Sequence, residues 1–182
     1  MDELYCCKCA AKCKTSMIDG QIREICPNCG FIYFRNPAPA VSVIINDGKN
    51  IVLGKRADNE KWCLPCGYIE YGESFFDAAV REVKEEIGID SEPLKIINVV
   101  SNNLFSRISS VVITIISKPL SFELTGGDDI TDAKWFDVTG PLPELAFDAD
   151  KYIIEKLNES LLLHTEIAGI LLSERQTSFT QI

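Results

Sequence analysis

Glu82, Glu85 and Glu86 lie in a stretch whose apolar residues Phe76, Ala79, Val80, Val83 and Ile87 recur at helical spacing. At i, i+3 and i+4 the three carboxylates share one helix face, which the spacing sets opposite the Val83/Ile87 stripe. Like charges so placed destabilise a bare helix. Clustered hard oxygen ligands suit Mg2+ or Mn2+, which cancels the repulsion and bridges to phosphate oxygens of a bound substrate. Arg81 beside this face is set to pair with Glu73 from the preceding loop and fix how loop meets helix. The plainer reading of the same residues is a solvated acidic face.

A second chemistry sits at the front of the chain. Cys6-x-x-Cys9 and Cys26-Pro-Asn-Cys29 are two knuckles, each able to supply two corners of a tetrahedral Zn2+ site. The assignment is Cys6, Cys9, Cys26 and Cys29, a closed and structural site. Cys13 offers an alternative first knuckle with Cys9, Cys7 points to the wrong side for either pairing, and a redox cluster is the competing reading. A unit this small lacks a core, and below about 40 residues a metal commonly supplies the missing stability.

The elements that position these groups follow. Between the knuckles, Thr15 to Ile25 has room for two strands turning at Asp19-Gly20, the layout of a zinc ribbon. Asn36-Pro37-Ala38-Pro39 reads as a stiff linker, so residues 1–36 form the ribbon and 37–182 a second domain. That domain opens with strands at Ala40–Ile45 and Ile51–Leu53 around Asp47-Gly48, expected to pair as a β-hairpin. From Gly67 to Ile89 the pattern is loop then helix, begun by Ser74 and closed by Gly88. Ile153, Ile154, Leu157, Leu161 and Leu162 mark a later amphipathic helix from Asp148.

With those residues in view, Gly67 to Ile89 resembles the box of the Nudix hydrolase family, G-x5-E-x7-R-E-U-x-E-E-x-G-U. Gly67, Glu73, Arg81, Glu82, Val83, Glu85, Glu86, Gly88 and Ile89 fill every specified position. Lys61-Trp62-Cys63-Leu64-Pro65 is similar to the family's W-x-L-P lead-in and Trp135-Phe136 to its later W-F strand, so the likeness covers about residues 38 to 157. A ribbon running into Asn36-Pro37 and Val41 looks like the NADH pyrophosphatases and the plant-type FAD and ADP-ribose pyrophosphatases.

The resemblance implies an α/β fold, a Nudix-type α/β/α sandwich with a mixed sheet, and divalent-metal hydrolysis of a nucleoside diphosphate linked to another group. By position in the box, Glu82 and Glu86 are the principal Mg2+ ligands, the Gly67 carbonyl a backbone ligand, and Glu85 a further ligand or the acceptor of the water's proton. Glu73 and Arg81 support them. A loop outside the box sometimes supplies a base in this family. Asp128, Asp129 and Asp132 qualify here, and Asp132, three residues before Trp135, is chosen, against the alternative of a polar turn.

The chain departs from the pattern at Pro65-Cys66-Gly67, where the family has Pro-Gly-Gly. Cys66 makes a third Cys-x-x-Cys with Cys63 and reads as a small buried hydrophobe, with oxidation or metal capture as the other option. No NADH-type run S-Q-P-W-P-F-P-x-S follows the box, which disfavours NADH, and the ADP-ribose-type proline expected near Phe105 is absent too. Phe105, Arg107 and Phe122 are the candidates to stack on a base. Two other functions share these features: a non-catalytic nucleotide sensor and a nucleotide-pool sanitiser acting on triphosphates.

Composition narrows the remaining classes. With 46% hydrophobic and 25% charged residues over 182 positions, disordered and fibrous chains are excluded. Eighteen basic against 27 acidic residues give −9, so a nucleic-acid partner is not expected, and the ribbon's Lys8, Lys12, Lys14, Arg23 and Arg35 are balanced by Asp2, Glu3, Asp19 and Glu24. No apolar run reaches the ~20 residues of a membrane span. The N-terminus lacks a basic start and an apolar h-region, so a cytoplasmic location is expected, with thiols kept for metal rather than disulfides. The apolar tail Ile167–Leu172 suggests packing on a partner subunit as a homodimer, and His164 is expected to face solvent.

Overall fold

Asp19 and Gly20 both take positive φ, 49° and 73°. Two left-handed residues in succession give a tight turn whose twist matches paired strands. Accordingly β1 (Lys14–Ile18) and β2 (Gln21–Ile25) pair antiparallel with Met17 opposite Ile22, and β3 (Ile32–Tyr33) adds to β2. The computed structural model describes residues 3–104 and 108–162, and the chain divides into two compact units, Met1–Pro37 and Ala38–Ile182.

In the second unit, β4 (Ala38–Ile45) pairs parallel with β9 (Ile108–Pro119) and antiparallel with β7 (Cys66–Tyr68). The long β8 (Ser91–Leu104) flanks β9, giving the order β7-β4-β9-β8. A smaller sheet runs β10-β5-β6, from β10 (Ile130–Asp137), β5 (Asn50–Arg56) and β6 (Trp62–Cys63). Ala38 and Pro39, read as linker, therefore begin a strand.

The expected hairpin between β4 and β5 does not form. The two strands enter different sheets and touch through a single bridge, Asn46 to Ile51. Neither strand alternates apolar with polar: Val41 to Ile45 and Ile51 to Leu53 are all buried hydrophobics except Ser42. Strands apolar on both sides demand cover on both faces, which a two-stranded ribbon cannot supply.

That cover comes from α1 (Phe75–Ile87) and α2 (Asp148–Leu162). Val41, Val43, Ile45 and Val52 pack with Ala79, Val83 and Ile87 of α1, while Ile44, Ile51 and Leu53 pack with Ile153, Ile154 and Leu157 of α2. Alternate residues of one strand thus serve opposite layers, the α/β/α arrangement. Each such side chain contributes about 1.5–3 kcal/mol on burial. Among the described residues, no helix is long and apolar enough to cross a membrane. His164, the tail 167–172, Phe105 and Arg107 lie outside the described residues.

Candidate active site

Helix α1 starts where Ser74, in extended conformation, accepts the Asp77 N–H on its hydroxyl at 3.1 Å. It stops at Gly88, whose φ of 78° and N–H bond to the Lys84 carbonyl make a left-handed cap. Between these ends the acidic residues do not all lie opposite the apolar stripe. Glu82 and Glu86 are buried beside Val83 and Ile87, at 7% and 4% exposure, and Glu85 alone stands half-exposed. The reason is that β7 runs past this part of the helix and offers polar backbone to it.

The Cys66 N–H donates to Glu86 Oε2 at 2.9 Å. At Gly67, whose strand partner is Val41, the Glu82 carboxylate takes the space a Cβ would need. Arg81 organises the exposed side of this corner. It holds Glu73 by two bonds, Nε to Oε1 at 2.8 Å and Nη2 to Oε2 at 3.0 Å, a fork-on-fork geometry. Its Nη1 reaches Glu82 at 2.7 Å and Glu85 at 3.0 Å, and its Nη2 also donates to the Tyr68 carbonyl at 3.0 Å. Three glutamates and the β7 backbone therefore meet on one guanidinium.

The electrostatics follow from this burial. Desolvation pushes the Glu86 carboxyl up to about 8 despite the Cys66 N–H, with Asp129 and Glu82 adding repulsion. Desolvation also raises Glu82, an effect that Arg81 opposes. Glu73 is lowered, chiefly by Arg81. These are two buried carboxyls whose ionisation burial opposes, Glu82 against Gly67 and Glu86 on the Cys66 N–H, and a hard divalent cation is a group that could neutralise them. Carboxylate oxygens such as those of Glu82, Glu85 and Glu86 are the donor type that could hold Mg2+ or Mn2+.

Asp129 and Asp132, both candidates for a base from outside the box, meet different partners. Asp132 is half-buried, pairs with Lys134 at 2.5 Å and is lowered by it. Asp129 instead pairs with Arg56 at 3.3 Å, and its charge is felt at Glu86. A bulge between Ile130 and Asp132 in the β10–β5 register sets these directions, and spacing from Trp135 does not reveal it. Arg56 was also missed, although a cation closing the apolar strand Ile51–Leu53 is a readable signal. Phe122 lies against Trp135, ring centroids 5.8 Å apart.

In the ribbon, Cys6, Cys9, Cys26 and Cys29 gather with sulfurs within 4.8 Å of one another, the contacts Cys9–Cys26 and Cys6–Cys29 being 3.4 and 3.6 Å. The knuckle turns are closed by the Ala10 N–H to the Cys6 carbonyl and the Gly30 N–H to the Cys26 carbonyl. The Ala11 backbone, followed by Cys26, lowers the Cys9 thiol to about 6. Four sulfurs so placed are compatible with Zn2+. Cys7 is exposed, and neither it nor Cys13 belongs to the cluster.

Residues 36–157 match the NUDIX domain family. The chain belongs to the Nudix family. An ADP-ribose pyrophosphatase of Methanocaldococcus jannaschii is 39% identical over 124 residues, covering 66% of this chain and 73% of that protein. The NAD-capped RNA hydrolase NudC of Haemophilus influenzae is 29% identical over 150 residues, covering 78% of this chain and 54% of NudC. Among solved structures, a NUDIX hydrolase from Nitrosomonas europaea superimposes with a TM-score of 0.75 at 26% identity, covering 87% of this chain and 90% of its own. The Nudix chain is accordingly an enzyme of pyrophosphate-bond hydrolysis.

Proposed function

We propose that this Nudix enzyme is a Mg2+-dependent hydrolase of nucleoside diphosphates linked to a second moiety, of the ADP-ribose class. The observation that carries the reading is that Glu82, packed against Gly67, and Glu85 share Arg81 while Glu86 accepts the neighbouring Cys66 N–H. The 39% identity to an ADP-ribose pyrophosphatase supports the ADP-ribose class ahead of the more distant NudC.

Glu82, Glu86 and the Gly67 carbonyl would hold the cation, which supplies charge neutralisation on the diphosphate and a more acidic bound water. The chain's own residues do the rest. Glu85, half-exposed at the rim, accepts the proton of the water that attacks phosphorus as the bridging P–O bond breaks. Glu73 acts through Arg81, which also holds Glu82 and Glu85. Asp129 takes the place first given to Asp132 as the acid that the loop brings toward Glu86. The ribbon holds structural Zn2+ and, with the free thiols of the chain, suits a reducing cytoplasm.

The test is a Mg2+ assay across ADP-ribose, FAD, NADH, nucleotide sugars and dNTPs, with released monophosphate or pyrophosphate identified. Turnover of ADP-ribose, reduced by orders of magnitude in Glu85→Gln, is expected. Silence on every substrate supports a sensor instead, and dNTP turnover alone a sanitiser.

A further inference from the structure

The last carbonyls of a helix have no partner within it. In α1 two of them, those of Glu86 and Ile87, accept the N–H groups of Gly127 and Thr125, at 3.0 and 3.1 Å. The far end of the same short segment is tied to β5. There the Ala57 N–H donates to the Asp129 carbonyl at 2.8 Å, and the Thr131 hydroxyl donates to the Lys55 carbonyl at 3.1 Å. Between these anchors the Ile130 N–H closes a turn on the Gly127 carbonyl at 2.9 Å, with Asp128 left-handed at a φ of 50°.

Two glycines permit this approach. A Cβ on Gly127 would stand 2.3 Å from the Glu85 carbonyl oxygen, and one on Gly126 would stand 2.7 Å from that of Ile130. Both obstacles are backbone atoms, which cannot swing aside as a side chain can. Neither glycine has a positive φ, so the closeness of the chains explains the residue type. The helix side of the contact is the less able to move, because Val83 and Ile87 lie in the core and the Cys66 N–H holds the Glu86 carboxylate. On the loop side Thr125, Gly126, Asp128 and Asp129 are exposed. A methyl group added at residue 127 therefore lifts the loop and leaves the helix where it is. Asp129, two residues beyond Gly127, pairs with Arg56 at 3.3 Å and adds its charge to the surroundings of Glu86.

We infer that Gly126 and Gly127 are positioning residues for hydrolysis: they clasp the loop to the carbonyl end of α1 and so fix Asp129 relative to Glu86. This rests on the hydrolase reading, with Asp129 as the acid of the loop. The clasp grips the main chain of the residues whose carboxylates form the proposed metal corner, so the loop acid and those carboxylates share one frame. Releasing it moves Asp129 alone, since Arg81 holds Glu82 and Glu85 and the Cys66 N–H holds Glu86. The loss then falls on turnover and spares metal and substrate binding.

Amide hydrogen exchange and kinetics of wild type, Gly127→Ala, Asp129→Asn and the double variant provide the test. In wild type the Thr125 and Gly127 amides should exchange at least tenfold more slowly than in an unstructured chain. In Gly127→Ala that protection should be lost at both positions while the amides of α1 keep theirs. With Mg2+ and ADP-ribose, Gly127→Ala should lower kcat to the level of Asp129→Asn, about 100-fold below wild type. KM and the Mg2+ concentration for half-maximal rate should stay within about twofold, and the double variant should be no slower than the slower single one. Gly126→Ala, whose Cβ meets β10 instead of α1, should show the same split. Wild-type kcat in Gly127→Ala or in Asp129→Asn, multiplied losses in the double variant, a raised Mg2+ requirement, or unprotected amides at 125 and 127 in wild type overturns the proposal. Hydrolysis of ADP-ribose by a wild type with those amides unprotected would defeat the clasp alone. Protected amides in a wild type that leaves ADP-ribose intact would defeat the hydrolase reading instead.

Discussion

Gly67 and Glu82 occupy adjoining space so closely that a Cβ on residue 67 would overlap the Glu82 carboxylate. The glycine is required by this approach and not by its backbone angles, since its φ is not among the positive ones. Gly67→Ala must therefore move Glu82, which Arg81 also holds. A displacement of about 1 Å at a catalytic corner costs about 100-fold in rate. We expect kcat to fall by that order with a small change in melting temperature. Wild-type turnover in Gly67→Ala would show that Glu82 need not sit where it does.

Arg81 has more polar partners than a surface pair would require. The side chains of Arg81 and Glu73 are 29% and 15% exposed, so solvent screens their pairing only in part. Loss of either partner should cost about 1–2 kcal/mol, and the double variant scarcely more than one alone. Urea unfolding of Arg81→Ala, Glu73→Ala and the double variant measures the coupling. Additive losses would mean that the two residues act independently. Arg81→Lys should behave nearly like Arg81→Ala, because an ammonium cannot reproduce the fork.

The ribbon prediction concerns metal content. Zinc ligation supplies folding free energy to units too small for a core, and here both knuckles point their sulfurs inward. Elemental analysis should find one zinc per chain, and Cys26→Ser should lose it together with the dispersed amide signals of β1 and β2. Cys7→Ser should keep both. Zinc retained in Cys26→Ser would require Cys13 or another thiol to serve instead.

What was legible in the sequence was local. The helix with its Ser74 and Gly88 ends, the Asp19-Gly20 turn and the two knuckles are set by residues a few positions apart. The features that spacing concealed are long-range. Leu64 and Asp150 are 86 residues apart, so only the fold makes the acid buried. The different partners of Asp129 and Asp132 lie on either side of a one-residue bulge against β5. The burial of Glu82 and Glu86 depends on β7 crossing the helix, and the failed hairpin on helices arriving at both faces of β4. Helical periodicity places side chains around an axis, but it does not say which neighbour covers them.

Asp150 also makes stability depend on pH in an unusual direction. Burial raises its carboxyl from the ordinary 3.8 to about 6, opposed only by the Leu64 N–H. Between these two values the folded chain keeps a proton that the unfolded chain releases, so raising the pH favours unfolding. The stabilising contribution is present in full below 3.8 and is gone above about 6, the reverse of a salt-bridged aspartate. The interval corresponds to about 3 kcal/mol at most. Asp150→Asn has no proton to lose and should show none of this. The unfolding free energy of wild type minus that of Asp150→Asn should therefore fall by up to about 3 kcal/mol between pH about 4 and about 7, with the other titrating groups cancelling in the difference. Paired urea titrations across that range provide the measurement. A difference that stays flat would mean that the Asp150 carboxyl ionises as freely in the folded chain as in the unfolded one.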